Sequence, residues 1–329
     1  MKRTDVAIIG GGVMGCATAW ALARAGREVV LFEQFDIGHA RGSSHGSARI
    51  FRESYTDPAY VRMMREAIPL WRELEDEAGE QLLAVTGALN LGDVEPLERA
   101  MAEAGSPFEI LEGAELTGRF PNVDAGERAI FDPTAGVVFA ERAWRAFAAA
   151  ARAHGATIVQ NARATFTVHD DRVDVNEIKA SCVVLACGPW IADLMPDLPV
   201  RTTRETVCYY DAAELPVLIE WDRPLVYGLP TPDGIYKAGR HIAGTAVHPG
   251  SATTHDEDSA RMVDDWMSSR VQSRAVRRIG AETCMYTNTE DECFIVRREG
   301  RVVVGSPCSG HGFKFAPLIG ERLADLALA

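Results

Sequence analysis

Apolar positions along this chain recur at two spacings, and the change from one to the other marks out its elements. DVAIIG is a short β-branched run entering GGGVMG, VMGCATAWALARAG reads as a helix closed by Gly26, and REVVLFE is a second extended run. The chain therefore opens as strand, glycine turn, helix, strand. DPAYVRMMREAIPLWRELEDEAG and ERAWRAFAAAARAHG predict two further amphipathic helices, the second followed by strands. CVVLACGPWIADLMPDL reads as a buried strand meeting a glycine turn at Gly188, a return to the first unit. From VRTTRETVCYYDA to GIYKAGRHIAGTAVHPG strands alternate with polar turns, as in an antiparallel sheet. HDEDSARMVDDWMSSRV sets Met262, Val263, Trp266, Met267 and Val271 on one helical face, expected to be buried. APLIGERLADLALA is a last helix with Pro317 in its first turn.

In that frame GxGxxG has a mechanism. Gly10 serves the tight turn, Gly12 the close approach of backbone to a pyrophosphate, Gly15 helix packing, and Glu33, ending the second strand, the ribose hydroxyls. Dinucleotide binding is the expected role, and the residues alone leave FAD and NAD both open. A length of 329 residues suits two domains, and without a repeat or low-complexity linker these are expected to interleave. The net charge of −13, with no Lys/Arg cluster, argues against nucleic acid or an anionic membrane as partner. Seven scattered cysteines without a CxxC pair favour a reducing cytoplasm over a disulfide framework or zinc site, and no metal is expected. The basic, apolar start loosely imitates a secretory signal, but three consecutive glycines and Asp5 fit that poorly.

Two polar stretches remain. GHARGSSHGSARIFRES is too rich in Gly, Ser, His and Arg for a core element and reads as a ligand-contacting or merely solvated loop. SGHGFKF places Gly310, Gly312 and Lys314 before the last helix, whose N-terminal N–H groups and dipole face back on the glycines. An electron-rich ligand is the expected occupant, although a lysine between Phe313 and Phe315 can also snorkel to water.

VAIIGGGVMGCATAWALARAG, GSSHGSARIFRESY, CMYTNTEDECFIV and SGHGFKF, in this order, resemble the monomeric sarcosine oxidase and N-methyltryptophan oxidase family of FAD-dependent amine oxidases. The resemblance spans nearly the whole chain, and the last two motifs are more specific than the first. It implies FAD as cofactor, held by Gly10, Gly12, Gly15, Glu33, Ser43, Ser44, Gly188, Gly310, Gly312 and Phe313, and attached covalently through Cys284. Arg52 and Lys314 would take the substrate carboxylate, Lys237 would activate oxygen, and His241 and Tyr227 would stand near the substrate. Arg49 and His45 would lie beside the ring on the face away from the substrate. Two departures stand out: Ala48 replaces a common threonine, and Cys293 a common histidine.

The implied fold is α/β (α+β): a Rossmann-type FAD-binding domain (1–84, 136–198, 284–329) interleaved with a substrate domain on a mostly antiparallel sheet (85–135, 199–283). The implied function is oxidation of a secondary-amine amino acid, N-methyl or cyclic, by hydride transfer to flavin N5, with reoxidation by O2 to hydrogen peroxide. A monomer is implied. Two rival readings are a dehydrogenase with another electron acceptor and a non-catalytic flavin- or NAD-binding module; paired cations for a carboxylate argue against the second.

Overall fold

The computed structural model describes residues 2–212, 215–242, 244–251, 254–272 and 276–329. Residue 243, within GIYKAGRHIAGTAVHPG, and Met1 lie outside the described residues. β1 (Lys2–Ile9) is central to a sheet whose parallel part runs Thr157–Val159, β2 (Val29–Phe32), β1, Ile178–Leu185, Val302–Ser306. The far edge of Ile178–Leu185 is shared, its first half pairing antiparallel with Val173–Val175 and its second half parallel with Val302–Ser306. β1 is apolar at successive positions because both faces are covered: Val6 and Ile8 enter one core cluster, Ala7 and Ile9 another.

α1 (Val13–Arg24) packs on that sheet and against the helices Ala140–Ala153 and Ala316–Leu328. Small residues set the distance, since a Cβ on Gly320 would come within 2.7 Å of the Ala17 backbone. Trp20, Trp71 and Trp144 are fully buried around this junction, each contributing about 3 kcal/mol or more of apolar burial.

The second sheet centres on Arg201–Tyr210, paired antiparallel along one edge with Arg278–Asn288. Its other edge continues through Tyr236–Arg240, Val226–Pro230, Val217–Glu220, Ala88–Leu91, Arg128–Asp132 and Glu109–Glu112. Only the pairing of Val217–Glu220 with Ala88–Leu91 is parallel among these. Helix Glu257–Arg270 covers one face and buries Val263, Trp266 and Met267. Met262, expected on that stripe, is 43% exposed. It stands about 100° round the helix from Val263, outside the arc that touches the sheet.

A three-stranded sheet joins the two. The stretch expected to contain no core element supplies one of its strands, β3 (Ala48–Phe51), with Ala48 and Phe51 buried. Glycine, serine and arginine on either side masked four residues of extended chain. α2 (Pro58–Ala78) follows, with the Asp57 side chain accepting from Ala59 N, Pro58 in the first turn and Gly79 left-handed at φ +65°. Its Trp71 indole donates to the Lys314 carbonyl at 2.7 Å and so ties the SGHGFKF segment to the helix. Among the described residues no helix is long and apolar enough to cross a membrane, and no group of three His, Cys, Asp or Glu is placed to hold a metal. The seven cysteines are free thiols.

Candidate active site

A cavity of about 520 Å³ lies between the carboxyl ends of the parallel strands and the antiparallel sheet, where ligands of open α/β sheets sit. At one end is the glycine turn. Gly10 has φ +106°, and a Cβ there would lie 2.4 Å from the Ala186 carbonyl oxygen. A Cβ on Gly15 would lie 1.8 Å from the Gly10 carbonyl oxygen, so the helix is butted against its own turn. Gly12 caps α1, and the first helical amide, Val13 N, donates to Ser44 Oγ at 3.0 Å. Ser43 Oγ is buried with no partner. Gly188, at φ +51°, and Gly12 line the same wall.

Glu33 is 4% exposed and accepts from Gly11 N at 2.7 Å and Phe35 N at 2.9 Å; burial raises its pKa. A helix N-terminus, a glycine surface and two serine hydroxyls, Ser44 on the first helical amide and Ser43 without a partner among the described residues, fit the diphosphate of a dinucleotide, and the fixed carboxylate fits its ribose.

Further along, four of the expected residues meet. Arg49 donates to the carbonyls of Ala48 (2.8 Å), Ser43 (3.0 Å) and His45 (2.6 Å), with Nη2 3.9 Å from Cys284 Sγ. Lys237, 3% exposed, donates to the Ala48 carbonyl at 3.4 Å. Burial, and after it Arg49, lowers the Lys237 pKa to about 7. His45 sets Nδ1 2.8 Å from the Gly42 carbonyl and Nε2 3.2 Å from that of Thr283, although burial lowers its pKa and a neutral ring donates from one nitrogen alone. The Phe313 ring centre is 5.6 Å from the Arg49 guanidinium carbon. Gly310 and Gly312 have no room for side chains: a Cβ would reach 2.1 Å from the Tyr286 ring and 1.6 Å from the Pro307 carbonyl oxygen.

The other end is cationic. Lys314, 5% exposed, donates to Tyr55 Oη and to the His311 carbonyl, both at 2.8 Å. Burial, then Arg52, holds its pKa well below the usual lysine range. The Arg52 guanidinium lies between the rings of Tyr55 (4.0 Å) and Trp221 (5.0 Å), with Nη1 buried and unpartnered. Among the described residues, no carboxylate comes within 4.0 Å of either cation. Buried charge without a counter-charge is costly, so the arrangement suits an anion arriving from outside.

Tyr227 lines the cavity with its hydroxyl against that of Tyr286, and burial raises its pKa to about 12. His241 Nε2 is 3.4 Å from Glu292 Oε2 at the same cavity. Sequence reasoning missed Tyr55, His311, Trp221 and Tyr286. Tyr55, Tyr286 and His311 stand inside the quoted motifs, whereas Trp221 carries no local sign of its place.

Residues 5–326 match the family model described as FAD dependent oxidoreductase. Peroxisomal sarcosine oxidase of Homo sapiens is 32% identical, with 98% of this chain and 92% of that protein covered. Monomeric sarcosine oxidase of Bacillus sp. (strain NS-129) is 31% identical at the same coverage of both chains. Among solved structures, NikD, described as an unusual amino acid oxidase essential for nikkomycin biosynthesis, superposes with a TM-score of 0.88 at 24% identity. That match covers 100% of this chain and 94% of NikD, and at such identity it speaks for the fold alone. The chain belongs to the FAD-dependent oxidoreductase family and is similar over nearly its whole length to the sarcosine oxidases in it.

Proposed function

We propose that this protein oxidises an amino acid carrying a secondary amine, N-methyl or cyclic, and that the substrate carboxylate is held by Arg52 and Lys314. The observation that carries the reading is the pair of buried basic side chains that meet no carboxylate among the described residues, in one cavity with the glycine cradle. Charge-assisted donors on two sides fix the pose of a small substrate. His241, beside Glu292, is the group we assign to take the proton an ammonium substrate must lose.

Gly10, Gly12, Gly15, Glu33, Ser43, Ser44 and Gly188 would hold the nucleotide half of FAD, with Gly310, Gly312 and Phe313 beside its ring and Cys284 as the covalent attachment. FAD held there would supply the two-electron chemistry, as hydride acceptor from the carbon next to nitrogen, with O2 as final acceptor giving hydrogen peroxide. The imine product is hydrolysed by water. Lys237 and Arg49 place positive charge where negative charge must be accommodated, and the His45 ring, between the Gly42 and Thr283 carbonyls, braces the segment that leads into β3 and Arg49. The FAD-binding unit would comprise 1–84, 136–198 and 284–329, and the substrate unit 85–135 and 199–283. A monomer in a reducing, cytoplasm-like compartment suits seven unpaired thiols.

The test is a screen of N-methyl and cyclic amino acids on the purified yellow protein, measuring flavin bleaching without oxygen and peroxide with it. Bleaching by a secondary-amine acid, and not by its decarboxylated counterpart, with peroxide formed on admitting air, is expected. Bleaching without peroxide would make it a dehydrogenase; no bleaching by any amino acid would overturn the substrate class.

A further inference from the structure

Trp221 and Asn90 belong to none of the sequence motifs, yet together they support the cation that faces the cavity. The guanidinium of Arg52 is held between the faces of Trp221 and Tyr55, at 5.0 and 4.0 Å. Stacking of this kind fixes the guanidinium plane and leaves its N–H edge free for an anion. The indole is itself tied down. Trp221 Nε1 donates to Asn90 Oδ1 at 3.0 Å, and Trp221 N donates to the Leu91 carbonyl at 2.9 Å. Asn90 is 0% exposed, and its Nδ2 donates to the Ile130 carbonyl at 3.2 Å. Its neighbours on the same strand, Leu89 and Leu91, are buried aliphatics, and leucine would fill position 90 without burying an amide. The amide does two things leucine cannot: it donates across the strand pair to Ile130, and it accepts from the indole.

We propose that the Asn90–Trp221 pair is a positioning device for Arg52, locking the indole in the orientation that presents the guanidinium edge to a substrate carboxylate. The inference rests on the reading of Arg52 as carboxylate partner.

The test titrates FAD-loaded protein with acetate and with its neutral isostere acetamide, following flavin absorbance, in wild type, Trp221→Phe, Asn90→Leu and the double variant. Trp221→Phe keeps a stacking ring and loses the N–H. Wild type is expected to prefer acetate. Each single variant is expected to weaken acetate about tenfold, the equivalent of one lost or misdirected hydrogen bond to a charge, and to leave acetamide within about twofold. The double variant should bind acetate no worse than the weaker single, because both remove the same Trp221–Asn90 hydrogen bond, and the Asn90–Ile130 bond lost with Asn90→Leu does not reach Arg52. Unchanged acetate preference in the singles, even with lowered thermal stability, would assign the pair a purely structural role and overturn the proposal. If Asn90→Leu does not fold, Trp221→Phe decides alone. A wild type that does not distinguish acetate from acetamide would instead remove the carboxylate role of Arg52, a failure visible without any variant.

Discussion

Lys237 Nζ and Arg49 Nη1 donate to one and the same carbonyl oxygen, that of Ala48, at 3.4 and 2.8 Å. Two buried cations sharing an acceptor cannot both hold their protons cheaply, and the lysine gives way, with its pKa lowered to about 7 by burial first and Arg49 second. In the unfolded chain the same amine titrates near 10.4. Between those values the unfolded state binds one proton more, so this group makes folding more favourable as pH rises and less favourable as pH falls towards 7. Urea unfolding of the FAD-free protein from pH 7 to 8.5 should therefore show a steeper gain in stability than Lys237→Met, by up to about 1.4 kcal/mol per pH unit. Lys314, depressed in the same direction, contributes equally to both proteins and cancels. Parallel slopes would mean that Nζ keeps its proton in the folded state.

Lys314 trades stability for binding. Its amine is buried on Tyr55 and His311 with no carboxylate within ion-pair distance among the described residues. Lys314→Met should stabilise the FAD-free protein by about 1 to 2 kcal/mol, since the cost of burying an amine without a counter-charge, met by its lowered pKa, is removed. The same variant should raise KM for an amino acid substrate about 10- to 100-fold and leave that for the decarboxylated amine nearly unchanged. Thermal melts and paired kinetics check the two halves; a loss of stability together with equal KM effects on both substrates would count against the carboxylate assignment.

How much of this could be read from the chain follows from the range of each interaction. β1, the glycine turn and α1 depend on neighbours within a few residues, so DVAIIGGGVMG announced them, as Asp57, Pro58 and Gly79 bound α2 by local chemistry. The small sheet could not be read, because Ala48–Phe51 becomes a strand only by pairing with Gly136–Phe139. Arg52, Lys314 and Cys284 stood in motifs, whereas the Arg52–Trp221 stack joins residues 169 positions apart and the Trp221–Asn90 bond residues 131 apart. Neither indole nor amide has a local pattern to betray it, since only the fold brings them to the cavity.

Gly12 and Gly15 lie on one short turn and should fail differently. A Cβ at Gly15 would meet the Gly10 carbonyl oxygen at 1.8 Å, which backbone alone must relieve. Gly15→Ala should cost about 3 kcal/mol or more and reduce soluble yield. At Gly12 the nearest atom is Ser44 Oγ at 3.1 Å, a hydroxyl that can turn aside, so Gly12→Ala should fold with near wild-type melting before FAD is added. Its methyl would stand where the diphosphate approaches, so FAD retention on gel filtration should fall sharply. Full FAD loading of Gly12→Ala would place the diphosphate elsewhere.

Four cysteines line the cavity: Cys187, Cys284, Cys293 and Cys308. Covalent attachment needs a sulfur nucleophile, and the thiolate is the competent form. Burial raises the pKa of Cys187 to about 12 and raises that of Cys308 too, whose sulfur already accepts from Thr287 N at 3.2 Å. Cys293 is exposed, and its pKa is raised by desolvation first and Asp291 next. Among the described residues, Cys284 alone of the four has a guanidinium donating to its sulfur, Arg49 at 3.9 Å, able to steady the charge on sulfur as a bond forms. After acid precipitation the wild-type pellet should stay yellow, and its peptide containing Cys284 should carry the added mass of FAD. Cys284→Ala should still bind FAD through the glycine cradle but release it to the supernatant, while Cys308→Ala should behave as wild type. Colour retained in the Cys284→Ala pellet would move the attachment to another side chain; colour released from wild type would make the binding wholly non-covalent.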